Sequence, residues 1–286
     1  MIPTAPAYVG VLGGGRMGAG IAHAFLVAGS HVVVVERDEA SADAAGERIA
    51  QSIRRSVERD PQLDGADMLA RLRAGADVAA FADAELVIEA VPEDRDLKSE
   101  ALARVESVLS ATAVLASNTS SISIDDLAAT RVRPGRFIGL HFFNPVPASA
   151  LVEIVRGTAT DDAVVEAARR WVEALGKTPI VVSDSPGFAS SRLGVMLGLE
   201  AIRMLEEGVA SAEDIDAAMT LGYRHPVGPL RTTDIVGLDV RLGIAEELAR
   251  ELGPRFEPPA LLRRMVAEGR LGRKSGEGFY DWKEEN

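Results

Sequence analysis

Four histidines and no cysteine occur in the 286 residues, so acid–base chemistry in this chain has few candidate side chains. His141 has the most telling position: it sits near the C-terminal end of an apolar run over 137–143 and is followed by Phe-Phe-Asn-Pro. A neutral imidazole ionises close to physiological pH, which suits a general base that takes a hydroxyl proton, an effect of about 10²–10⁴-fold. Such a base needs a carboxylate that fixes its tautomer and stabilises its cation. Glu153, on the next apolar run over 151–155, is the candidate. Spacing alone leaves this pair open between a catalytic dyad and a satisfied structural histidine. His23 within a helical stretch and His31 at the start of an apolar run read as structural, and His225 in His-Pro-Val-Gly-Pro as a turn anchor. The lack of cysteine excludes a disulfide framework, a cysteine nucleophile and Cys-ligated zinc, and no metal site is predicted.

A second group of residues points to a dinucleotide. Gly13, Gly14, Gly15, Arg16, Met17 and Gly18 satisfy G-x-G-x-x-G, with an apolar run over 7–12 before them and a helical pattern over 17–28 after them. That arrangement supplies a tight turn, close backbone approach to a pyrophosphate and free N–H groups at a helix start. Glu36 closes the next β-branched run 23 residues after Gly13, where a carboxylate can bond the adenosine ribose hydroxyls. It favours NAD over NADP because it would repel a 2′-phosphate, while Arg37 beside it keeps NADP as the alternative. A hydride acceptor and a proton acceptor together make an alcohol-oxidising site.

The elements that must position these residues are legible as periods. Runs over 7–12, 31–36, 85–91, 113–116, 137–143, 151–155 and 179–182 read as strands, the β-branched ones suiting parallel strands buried on both faces. Helical patterns intervene near 97–110 and 121–129, which indicates an α/β fold with a Rossmann-type doubly wound sheet. After Ser185-Pro186-Gly187 only helical periods follow, at 188–207, 211–221, 228–252 and 258–268. The predicted organisation is a dinucleotide-binding domain over 1–184 and an all-helical domain over 185–286. In the latter, Leu193, Met196, Leu197, Ala201 and Met204 form an apolar stripe expected to face its core.

The formal net charge of −12 argues against nucleic acid or an anionic membrane surface as partner. The first residues lack the basic and apolar regions of a secretion signal, and no apolar run approaches a bilayer span, so a cytoplasmic protein is expected.

The segments VGVLGGGRMGAGIA (9–22), ELVIEAVPED (85–94), ASNTSSISI (116–124), GLHFFNPVP (139–147), LVEIVRG (151–157), DSPGF (184–188) and GRKSGEGFYDW (272–282) occur in order and nearly span the chain. Together they resemble the L-3-hydroxyacyl-CoA dehydrogenases, including the short 3-hydroxybutyryl-CoA dehydrogenases. The resemblance implies NAD-dependent, reversible oxidation of an L-3-hydroxyacyl-CoA to the 3-oxoacyl-CoA, with His141 and Glu153 as the dyad. It implies that Ser120, at the end of the strand over 113–116, hydrogen-bonds the substrate oxygen. Glu93, Lys98, Asn144 and Lys274 would contact the cofactor, with Ser120 and Asn144 shared with the substrate. It further assigns Ser52 and Arg59 to the nucleotide end of coenzyme A. With Arg48 and Arg55 these residues follow i, i+4, i+7, i+11 spacing and are expected on one helical face; the alternative is a solvated stripe. One departure stands out: Ser191 occupies the position before Arg192 where the family usually has an asparagine that bonds the reacting group. The family also implies a homodimer formed through the helical domain. Competing readings are a related dehydrogenase of a free hydroxy acid, of the L-gulonate or carnitine type, and a catalytically silent, crystallin-like structural protein.

Overall fold

The computed structural model describes residues 4–283 and divides the chain into two compact units, Met1–Ser185 and Pro186–Asn286. The first unit alternates strands and helices: β1 (Tyr8–Leu12), α1 (Arg16–Val27), β2 (His31–Val35), α2 (Glu39–Arg59), α3 (Gly65–Ala70), β3 (Leu72–Gly75), β4 (Leu86–Glu89) and α4 (Arg95–Glu106). It continues with β5 (Val114–Ser117), α5 (Ile124–Ala128), β6 (Phe137–Phe142), β7 (Leu151–Arg156), α6 (Asp162–Ala174) and β8 (Thr178–Ser183). The sheet has eight strands in the order β3-β2-β1-β4-β5-β6-β7-β8. Every pairing is parallel except β6 with β7. The strand order reverses between β1 and β4, the crevice where open α/β sheets bind ligands.

Local sequence explains the main elements. In β2 the run of four valines fits a pleated surface covered on both faces, and Val32, Val34 and Val35 are fully buried. Asp38 caps α2 by accepting from the Ser41 N–H, and Ala42, Ala45, Ile49 and Ile53 form the face that α2 packs inward. The short connection after β6 permits only an antiparallel return, since a parallel one needs a crossover of a dozen residues or more.

Two features depart from the sequence reading. β3 was not expected: its Leu-Arg-Ala-Gly carries no apolar run, because it is a sheet edge and buries none of its residues fully. The helical period over 228–252 is two helices, not one.

The second unit contains α7 (Ser190–Glu206), α8 (Ala212–Gly222), α9 (Pro229–Val236), α10 (Leu238–Leu252) and α11 (Ala260–Ala267). Gly237 separates α9 from α10 with φ of 108°, a conformation that glycine adopts without steric cost. The face of α7 that enters the core is Val195, Leu199, Ala201 and Ile202. Of the expected stripe, Ala201 is buried in this core and Met196 and Met204 pack against it, whereas Leu193 is 71% exposed. The C-terminal segment is tied down by the buried Asp234, which accepts from the N–H groups of Phe279 and Tyr280 and from the Trp282 indole. Among the described residues no helix is long and apolar enough to cross a membrane.

Candidate active site

Three glycines of the turn, Gly13, Gly15 and Gly18, have separate tasks. Gly13 has φ of +92°, and a Cβ there would crowd the Ala90 carbonyl, so the turn out of β1 requires glycine. A Cβ on Gly18 would sit 1.8 Å from the Gly13 carbonyl oxygen, which makes this residue the contact that lets α1 close onto β1. Gly15 differs: nothing lies within 4 Å of where its Cβ would be. Gly15 also caps α1 with no side-chain bond and no acidic residue in the first turn, which leaves the helix's N–H groups and positive end available. Open space beside uncapped N–H groups is the cradle a pyrophosphate fits. Arg16 is exposed at the helix start and Met17 packs partly against the core.

Glu36, directly after β2, accepts from the Gly14 N–H at 2.7 Å through Oε1, with Oε2 3.3 Å from the Arg37 N–H. The carboxylate therefore both braces the turn and stands at the strand end where a ribose would reach it. Arg37 is turned to Asp38 instead, in an exposed pair at 3.1 Å. Arg48 donates to the Gly14 carbonyl at 2.5 Å, so it supports the turn and does not join an anion-binding stripe. Arg59 lies elsewhere on α2, bonded to the Arg55 carbonyl at 3.1 Å, and the Ser52 hydroxyl turns back to the Arg48 carbonyl. Arg59 lines a cavity of about 270 Å³ with His23, Ser56 and Lys177. There His23 Nε2 meets Ser56 Oγ at 2.9 Å, and burial, with help from Arg59 and Lys177, lowers the histidine pKa. Lys177 was not singled out from the sequence; its ammonium donates to the Val146 and Ser149 carbonyls.

At the C-terminal ends of β4 and β5 lies a polar network. Glu93 gathers the Thr119 hydroxyl at 2.6 Å and the Ser120 and Ser121 N–H groups at 2.8 and 3.1 Å, all on Oε1. Burial pushes the Glu93 pKa up, but Lys98 and the bonds from Thr119 and Ser120 outweigh it and hold it below the usual range. Ser120 falls three residues beyond β5, in the loop that Glu93 holds, with its hydroxyl 3.3 Å from the same oxygen. Lys98 is 1% exposed and bonded to Glu89. Asn118 anchors the end of β6 by accepting from the Phe142 N–H at 2.9 Å. Asn144 is exposed in the loop after β6, and its peptide bond to Pro145 is cis.

His141 and Glu153 are brought together by the sheet. They are direct partners in the antiparallel β6–β7 register, so their side chains share one face. His141 Nδ1 lies 2.7 Å from Glu153 Oε2, with the histidine 6% and the glutamate 0% exposed. Phe143 packs against the imidazole, ring centroids 4.4 Å apart. Of the other histidines, His31 stacks on Tyr8, and the His225 N–H closes a turn onto the Met219 carbonyl. In the second unit Ser191 lies in the first turn of α7, and Lys274 pairs with Asp239 at 2.6 Å.

Known proteins resemble this chain over nearly its whole length. The NAD binding domain of 3-hydroxyacyl-CoA dehydrogenase matches residues 8–185, and the C-terminal domain of the same enzyme matches 187–282. The chain belongs to the 3-hydroxyacyl-CoA dehydrogenase family. It is 45% identical to the 3-hydroxybutyryl-CoA dehydrogenase of Mycobacterium tuberculosis, covering 96% of this chain and 98% of that one. A probable 3-hydroxybutyryl-CoA dehydrogenase of Deinococcus radiodurans is 42% identical over 96% of this chain and 99% of its own. The crystal structure of (S)-3-hydroxybutyryl-CoA dehydrogenase from Ralstonia eutropha superposes with a TM-score of 0.92 at 42% identity, covering 97% and 99% of the two chains. This dehydrogenase is an NAD-dependent oxidoreductase, and the turn from Gly13 to Gly18 with Glu36 fits that cofactor.

Proposed function

We propose that this dehydrogenase interconverts an L-3-hydroxyacyl-CoA and the 3-oxoacyl-CoA, with His141 and Glu153 as its catalytic dyad. The observation that carries the reading is the cross-strand pair at 2.7 Å, buried at a strand end. When bound, NAD supplies the hydride acceptor for the substrate's 3-carbon. His141 takes the hydroxyl proton on Nε2 while Nδ1–H stays on Glu153, whose negative charge stabilises the imidazolium that forms. The Ser120 hydroxyl, on a loop set by Glu93, orients the substrate oxygen. Asn144 is assigned to cofactor and substrate, and Ser191 to the reacting group. A serine there is shorter than the usual asparagine and offers a single donor. Lys274, which pairs with Asp239 in the second unit, is assigned to the cofactor.

A CoA ester is supported by the substrates in the relatives' names and by the cavity between Arg59 and Lys177, where two cations have no carboxylate paired with them among the described residues. Ser52, two turns before Arg59 on α2, completes this phosphate-binding assignment. The proposal includes a homodimer formed through the helical unit. Arg241 supports it: the guanidinium is buried, its Nε has no acceptor among the described residues, and burial lowers its pKa to about 10. The exposed Val240 precedes it on α10, and an acceptor from a second copy would relieve that unpaired donor.

The test is NADH formation across short, long, branched and dicarboxylic 3-hydroxyacyl-CoAs, with free hydroxy acids alongside. Turnover confined to CoA esters is expected. Turnover of a free acid alone overturns the substrate assignment, and NADH binding without turnover of any substrate overturns the catalytic one.

A further inference from the structure

We propose that Lys177 is a positioning residue that couples the coenzyme A phosphates to the loop bearing Asn144: two of its ammonium hydrogens hold that loop, and the third serves a phosphate in the cavity shared with Arg59. This rests on the reading of a CoA ester as substrate and of Asn144 as a contact of substrate and cofactor.

The loop over 143–150 joins β6, which carries His141, to β7, which carries Glu153. Two grips set its path. On one side Val146 is 2% exposed and seats in a notch of α1, where a Cβ on Gly20 would come within 2.9 Å of it. On the other side the loop folds into a turn, with the Ala148 and Ser149 N–H groups both donating to the Pro145 carbonyl at 3.0 Å. The Val146 and Ser149 carbonyls take their partner from outside that turn: the Lys177 ammonium donates to both, at 2.7 Å to Val146.

The sheet places Lys177 for this task. Gly176, with φ of +69°, turns the chain out of α6, and the Thr178 N–H donates to the Ala150 carbonyl at 2.6 Å as β8 pairs with β7. The lysine backbone is therefore anchored beside the last residue of the loop that its side chain holds. An ammonium has three donors, and the third has no acceptor among the described residues. Pro147, itself a loop residue, lines the cavity with Lys177 and Arg59, so the loop forms one wall of the space assigned to phosphate. Asp60, the only carboxylate lining it, is turned to the Gln62 N–H at 3.1 Å. Burial lowers the Lys177 pKa, and an anion beside the ammonium would offset that desolvation. A phosphate on the third hydrogen thus immobilises the lysine that holds the loop two residues from Asn144.

Amide hydrogen exchange on the full-length protein reads the coupling directly. Without ligand, Lys177→Met should make the Ala148 and Ser149 amides exchange about 10- to 100-fold faster, with β7 unchanged, whereas Arg59→Met should leave them as in wild type. Adenosine 3′,5′-bisphosphate, the nucleotide end of coenzyme A without its pantetheine arm, should slow these amides about threefold or more in wild type and leave them unmoved in Lys177→Met. In turnover, Lys177→Met should lower kcat about tenfold on a 3-hydroxyacyl-CoA and on the matching 3-hydroxyacyl-pantetheine alike, and raise KM about tenfold for the CoA ester alone. A KM that rises with kcat unchanged makes Lys177 a binding contact alone and overturns the proposal, as does unchanged exchange at Ala148 and Ser149 in Lys177→Met. The bisphosphate measurement on wild type needs no variant, and no slowing there also overturns it. If wild type turns over free hydroxy acids alone, the CoA reading fails, and the ligand-free exchange still decides whether Lys177 holds the loop.

Discussion

Replacing Glu153 by Gln tests the dyad at the point where its charge matters. The amide is isosteric and can still present an oxygen to His141 Nδ1, so the 2.7 Å contact and the strand pairing survive. What disappears is the negative charge opposite an imidazolium that exists only as the proton transfers. Two unit charges about 4 Å apart attract by about 4 kcal/mol at an effective dielectric of 20, and a charge-assisted bond exceeds a neutral one by about 1–2 kcal/mol. With Glu153 wholly buried, the loss should lie between these limits, about 2–4 kcal/mol. That is a fall of about 30- to 1,000-fold in kcat. The assay is steady-state NADH absorbance with a 3-hydroxyacyl-CoA, paired with NADH titration by fluorescence. Cofactor affinity should not move, because the glycine turn follows a different strand. A Glu153→Gln enzyme within about threefold of wild-type kcat, a difference of under 1 kcal/mol, would refute the dyad.

Two glycine substitutions should separate folding from binding. Gly15→Ala meets no atom of the protein, so it should keep the melting temperature and weaken NADH binding about tenfold or more. Gly18→Ala places a Cβ against the Gly13 carbonyl and should lose stability and binding together; equal behaviour of the two variants contradicts the assignment. Burial holds the His23 pKa below the ordinary imidazole value of about 6.5, so the unfolded chain takes up this proton first on acidification. Its contribution should make stability fall as the pH drops below about 6.5 until the folded pKa is passed, and His23→Asn should flatten that slope in denaturant titrations. Asp234→Asn turns an amide NH₂ toward donors that need an acceptor and should destabilise the protein by about 1–3 kcal/mol. Thermal unfolding equal to wild type would show that the C-terminal segment is held otherwise.

Local patterns made much of this legible. The dinucleotide turn could be read because three of its four glycines answer strictly local demands: a positive φ at Gly13, open space at Gly15 and a backbone contact at Gly18. The valine run of β2 and the capped, amphipathic α2 are also local, since burial on two faces and helical period both leave a trace in neighbouring residues. β3 left no such trace because an edge strand buries little, and the α9–α10 break rested on the φ of a single glycine.

Partnership was decided elsewhere. His141 and Glu153 are twelve residues apart, and only the antiparallel register of β6 and β7 turns that spacing into a bond. Without the register, a shift of one residue would put the two side chains on opposite faces. The arginines of α2 show the reverse. Their helical spacing was real, but the long side chains bend to whatever acceptor packing provides, Arg48 to the glycine turn and Arg59 to its own helix. Lys177 carries the same lesson, because no spacing reveals that its ammonium meets two carbonyls of the loop after β6. The sequence by itself determined the fold class, the cofactor and the types of residue available for chemistry. The tertiary structure decided which of them meet, because hydrogen bonds and buried charges are satisfied across strands and helices far apart in the chain.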